Sequence, residues 1–76
     1  MDKYLKQKRI EANLSQLQLA TQLGYTSPQF VSNWERGVAL PPLKICKELA
    51  RLLKVSRKEM RHELIKNYTA KVHKAL

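Results

Sequence analysis

Apolar residues recur along this chain at spacings of three and four, the period of a helix face, and nowhere alternate over the length of a strand. Five groups result. Leu5 and Ile10, with the end of Tyr4, supply the apolar side of a first helix over residues 3–12. Leu17, Leu19, Ala20 and Leu23 make one face of a second, residues 16–23. In a third, residues 28–36, Val31 and Trp34 stand at i, i+3 and Phe30 joins Trp34 at i, i+4, which assigns all three to the core. Leu43, Cys46, Leu49, Ala50 and Leu53 face inward from a fourth, which opens at Pro42 and reaches residue 53. Met60, Leu64, Tyr68, Val72 and Leu76 form an i+4 stripe along a fifth, residues 57–76, which no residue interrupts.

The residues between these groups carry start and stop chemistry. Asp2, Ser15 and Ser27 are N-caps for the first three helices, with Pro28 in the first position of the third, where a missing N–H costs nothing. Asn13, Gly24 and Gly37 are suited to the left-handed backbone that ends a helix. Pro41 and Pro42 forbid the third helix from continuing, and Ser56 with Glu59 spells the capping box S-x-x-E. The expected fold is all-α: a compact bundle of five helices in one domain over residues 1–76, with an extended C-terminal helix.

Composition narrows the function. At 76 residues only about 60% of the chain's surface can be buried. A hydrophobic share of 43% is ordinary for a globular fold and argues against wholesale disorder. Fifteen Lys and Arg against six Asp and Glu leave a net charge of +9, the electrostatic signature of a domain that meets a polyanion, most often nucleic acid. A lone cysteine, Cys46, suits a reducing cytoplasm, and no apolar run near the start resembles a signal peptide or a membrane span. The chain reads as complete and cytosolic. His62 and His73 are too isolated for a metal pair, and neither a Ser–His–carboxylate grouping nor a glycine-rich phosphate loop is present. An enzyme, a metal, a cofactor and a small-molecule ligand are therefore not expected.

Against this basic background, no residue from Ala12 through Trp34 is charged. The stretch from Ser15 to Gly37 has the form of two short helices joined by a glycine turn, the arrangement that places a second, reading helix in the DNA major groove. Gln29 and Asn33 lie four apart on that helix, with Ser32 beside them and Ser27 at its start, and carboxamides pair bidentately with adenine. These four are the candidate base contacts; the bland alternative is a solvated polar face. Neutral amides specify, and cations elsewhere supply affinity. Gln16, at the start of the second helix, is a candidate phosphate ligand. Arg36, Thr26 and Lys8 complete that set. Tyr25 either packs within the turn or touches the DNA backbone.

The run LSQLQLATQLG, followed by VSNWERG and a proline four residues after the glycine, resembles the lambda-repressor-like, Cro-type (XRE) helix-turn-helix proteins. Matching positions are Leu14, Gln16, Leu19, Ala20, Gly24, Val31, Ser32, Glu35, Arg36, Gly37 and Pro41, within a resemblance spanning residues 5–64. The resemblance implies that Gln16 contacts a phosphate and that Pro28, Gln29, Ser32 and Asn33 face DNA. It also implies an internal ion pair between Arg9 and Glu35. Two departures stand out. The interval from Gly24 to Glu35 is one residue longer than the family pattern, placing an extra residue in the turn Tyr25–Ser27, so specificity should rest on Gln29, Ser32 and Asn33 rather than on the helix's first residue. Lys8 replaces a usually apolar residue and either snorkels over the core or reaches DNA.

The stripe through Tyr68, Val72 and Leu76 is longer than a minimal domain of this kind needs. It folds back on the bundle, pairs with its twin, or frays; the dimer contact is the favoured expectation. Two-fold pairing sets reading helices about 34 Å apart and predicts a palindromic operator. The sequence thus predicts a cytoplasmic, bacterial or phage-derived regulator, a repressor by resemblance, that binds double-stranded DNA as a homodimer and has no membrane partner. The alternative is a protein-interaction module, antitoxin-like or adaptor, on the same fold.

Overall fold

The computed structural model describes the backbone of residues 2–75 and the side chains of residues 3–67. Its helices are α1 (Asp2–Glu11), α2 (Gln16–Gln22), α3 (Gln29–Glu35), α4 (Leu43–Leu52) and α5 (Arg57–Ala75), and the described residues contain no strand. The Asp2 cap, the contacts expected of Tyr68, Val72 and Leu76, and His73 lie outside the described side chains.

The helix ends share one device. After α1, α2, α3 and α4 a residue turns into the left-handed region: Asn13 at φ 60°, Gly24 at 93°, Gly37 at 74° and Lys54 at 58°. The next N–H then reaches back to close the helix: Leu14 to the Arg9 carbonyl at 3.1 Å, Tyr25 to Ala20 at 2.9 Å, Val38 to Asn33 at 3.0 Å and Val55 to Ala50 at 3.0 Å. Each bond satisfies a terminal carbonyl that has no partner within its helix. Three of them also turn the following residue back toward the bundle: Leu14, Tyr25 and Val55 pack against the core, whereas Val38 is exposed.

Starts are less uniform. Ser15 Oγ accepts from the Gln18 N–H at 3.0 Å while the Gln18 side chain accepts from the Ser15 N–H at 2.7 Å, a complete capping box. Ser56 Oγ accepts from the Glu59 N–H at 3.0 Å, and the Glu59 carboxylate accepts the Tyr4 hydroxyl, tying α5 to α1. At α3 the start is one residue later than the sequence suggests. Pro28 is itself the cap, at φ −77° and ψ 1°, with no side-chain bond, and Ser27 Oγ meets the Gln29 N–H only at 3.4 Å. A near-helical proline has taken the cap position that Ser27 was expected to fill.

The core comprises Leu5, Leu19, Ala20, Val31, Trp34, Leu49, Ala50, Leu53, Met60 and Leu64. In it α3 packs on both α1 and α2, and α4 packs on α5. Four residues assigned inward by spacing are exposed instead: Ile10, Leu17, Phe30 and Leu43. Geometry explains them. At about 100° per residue, Leu17 stands nearly opposite Leu19, Ile10 lies well around α1 from Leu5, and Phe30 sits on the flank of α3 between its buried and exposed sides. Leu43 is the first residue of α4, at the exposed end of that helix.

Candidate nucleic-acid interface

The second and third helices are joined to the first by one polar cluster. Glu35, at the end of α3, accepts Arg9 Nε at 2.6 Å and Arg9 Nη2 at 3.2 Å. Both side chains are largely buried, 11% exposed for Arg9 and 5% for Glu35. Arg9 Nη1 donates to the Leu14 carbonyl at 2.8 Å, so the guanidinium also closes the loop between α1 and α2. Gln16 Nε2 donates to Glu35 Oε1 at 3.1 Å. A planar fork matched to a carboxylate is the arrangement for which arginine is better suited than lysine. The cluster leaves no buried side-chain nitrogen or oxygen without a partner among the described residues.

Its consequence is positional. Gln16 is half-buried and held by one amide hydrogen, which leaves the other free to donate outward. The register of α3 is likewise fixed at its C-terminal end by Glu35 and on its inner side by Val31 and Trp34, both buried.

The opposite side of α3 is polar. Gln29 Nε2 donates to Asn33 Oδ1 at 3.0 Å, and Arg36 Nη2 donates to the same oxygen at 2.6 Å. The two donors use both lone pairs of Asn33 Oδ1, whereas the Gln29 carbonyl oxygen and its second amide hydrogen remain open. Ser32, half-buried, lies beside this row, and Ser27 and Thr26 are exposed in the turn before it. Pro28 is exposed at the helix start. Lys8 is engaged within α1: its ammonium is 3.6 Å from Glu11 and 5.9 Å from the centroid of the Tyr4 ring. Gln16, Gln29, Ser32, Asn33 and Arg36 therefore all belong to α2, α3 and the residue after α3, and Lys8 stands apart on α1.

Sequence reasoning missed Phe30. Phe30 is 51% exposed, and its ring stacks on Tyr25, centroids 4.5 Å apart and planes 26° from parallel. Tyr25 in turn meets Trp34 edge-on at 5.9 Å. The i, i+4 relation to Trp34 drew Phe30 inward in the sequence; its single-residue step from Gln29 is the signal that places it near the polar row. Tyr25 thus has the turn-packing role. Among the described residues, no group of His, Cys, Asp and Glu is placed to hold a metal ion, and no helix is long and apolar enough to cross a membrane.

A short helix held at a glycine turn against a second, whose outer side carries amides and whose inner side is core, is a helix-turn-helix. The helix-turn-helix family model matches residues 5–60 of the chain. The protein belongs to this family, in its lambda-repressor-like (XRE) branch, and membership points to a DNA-binding regulator of the XRE type. Such families are typically non-enzymatic. Comparison with curated proteins and with solved structures gave no significant match.

Proposed function

We propose that the protein is a sequence-specific regulator, a repressor, that reads double-stranded DNA by laying α3 in the major groove. The observation that carries this reading is the polar row on α3, in which Asn33, itself held by Arg36, accepts one N–H of the Gln29 carboxamide and leaves that group a carbonyl oxygen and an N–H still unused. That pair matches the N6 donor and N7 acceptor of adenine. Asn33 adds its own amide donors and aims Gln29, while Ser32 and Ser27 face neighbouring bases. Gln16, Arg36 and Thr26 meet phosphates. Lys8 joins them from α1, since its partly exposed pair with Glu11 is weak enough to exchange for a phosphate. Two copies, paired through Tyr68, Val72 and Leu76, would meet a palindromic operator.

Selection of bound sequences from a random duplex pool, followed by titration of variants, tests the division of roles. Gln29→Ala and Asn33→Ala should lose discrimination by a factor of about 5–100 while keeping affinity for random DNA. Arg36→Ala should weaken all sequences alike and lower the salt slope by about 1. Equal loss of specific and random binding from both classes overturns the reading. Sedimentation at micromolar concentration, with and without residues 66–76, tests the pairing; monomers in both cases refute it.

A further inference from the structure

Phe30 is the one large apolar side chain exposed on α3. Every other residue of that helix is either buried or half-buried against the bundle, or polar. A half-exposed aromatic ring on a seven-residue helix is not needed to hold it in place, because Val31 and Trp34 already anchor its inner side. Nor is the ring loose. Its stack on Tyr25, which is itself set edge-on to the buried Trp34, fixes its direction from the core outward.

We infer that Phe30 reads the 5-methyl group of a thymine next to the base addressed by Gln29. This rests on the proposal that α3 enters the major groove. There the edges of the base pairs are hydrogen-bonding groups except at one place, the thymine methyl, and apolar side chains including Phe contact it. Phe30 follows Gln29 directly, one step of about 1.5 Å and 100° along the helix, which sets the ring beside the carboxamide rather than in line with it. The charge pattern agrees. No Arg or Lys lies on α3 itself, so the donor most suited to guanine is absent from the reading helix, and carboxamide plus aromatic ring together favour A·T pairs. The ring therefore acts as a specificity residue.

The test uses the full chain and its selected duplex. Each thymine is replaced singly by deoxyuridine, which removes the methyl and keeps every hydrogen-bonding group. One position per half-site should then weaken wild-type binding roughly three- to tenfold, the value of burying about one methyl group. Phe30→Ala should lose a similar factor on the thymine duplex and become indifferent to deoxyuridine at that position alone. Phe30→Leu, which keeps an apolar surface and the fold, should remain sensitive there. Wild-type binding that is unchanged by deoxyuridine at every position overturns the inference and leaves the DNA reading intact, as does a Phe30→Ala variant still sensitive at the same position. Failure of the pool to yield any preferred duplex overturns both.

Discussion

Glu35 accepts three hydrogen bonds from two other helices, which makes Arg9 and Glu35 the pair whose removal should be felt most. At about 0.05–0.15 kcal/mol per residue, a chain of 76 residues has about 4–11 kcal/mol of total stability. Truncating one partner of a fully buried pair costs about 3–5 kcal/mol, because the other charge is left without compensation. An exposed pair is worth at most about 1. With 11% and 5% of the side chains exposed, this pair lies near the buried end, and about 2–4 kcal/mol is expected for Glu35→Leu or for Arg9→Met. The double variant removes both charges at once. Its remaining losses are the bond to the Leu14 carbonyl and the acceptor for Gln16, about 1 kcal/mol each. The double variant should therefore be more stable than the sum of the singles implies, with a coupling of at least about 2 kcal/mol. Trp34, the sole tryptophan and 2% exposed, reports urea unfolding by fluorescence without a label. Additivity of the two single costs to within about 0.5 kcal/mol would refute the reasoning, since the residues would then act independently.

Three smaller perturbations address the helix ends and the α1–α5 contact. Ser15→Ala removes one half of a complete capping box and should cost about 1 kcal/mol by the same unfolding assay; no change in midpoint would show that the cap does not matter. Lys54→Gly should stabilise by about 0.5–1 kcal/mol, because a side-chain-bearing residue at φ 58° is strained where glycine is not; a destabilised variant refutes this. Burial first, then the hydrogen bond to Glu59 and the charges of Glu59, Glu63 and Glu11, push the Tyr4 phenol well above its ordinary value of 10.0. A raised folded-state value favours the neutral phenol, so its contribution is present in full below about pH 10 and is lost as pH climbs toward the folded value. The stability difference between wild type and Tyr4→Phe should accordingly be constant from pH 7 to about 9.5 and shrink above it; a difference that grows with pH contradicts the assignment.

The punctuation of the fold was legible because it is local chemistry. Asn13, Gly24 and Gly37 end helices for reasons internal to a few residues, and Ser15 and Ser56 start them likewise. What the sequence could not resolve was the side of a helix on which a neighbour would sit. Leu17 and Ile10 are apolar, but α2 and α1 offer a narrow buried stripe, and those two residues fall outside it. Lys54 was invisible as a stop because nothing in its chemistry prefers the left-handed region. The Gln16 to Glu35 bond was illegible for a different reason: it needs three helices placed at once, whereas the resemblance supplied only the Arg9 and Glu35 pair.

The extra turn residue expected from the resemblance illustrates how these constraints combine. Measured forward from Gly24, it should displace the whole reading helix. Measured backward from Glu35, it should displace nothing. The second count governs, because Glu35 is fixed to Arg9 and Gln16, and Val31 and Trp34 are locked into the core. The end of α2 is equally fixed, by the Tyr25 N–H on the Ala20 carbonyl. The surplus can only be taken up between them, in Tyr25–Pro28, and there the start of α3 is cut back so that Gln29 becomes its first residue. Gln29 and Asn33 thus stand with Arg36 on a helix whose end is tied through Glu35 to Gln16. The turn's own aromatic, Tyr25, stands behind Phe30.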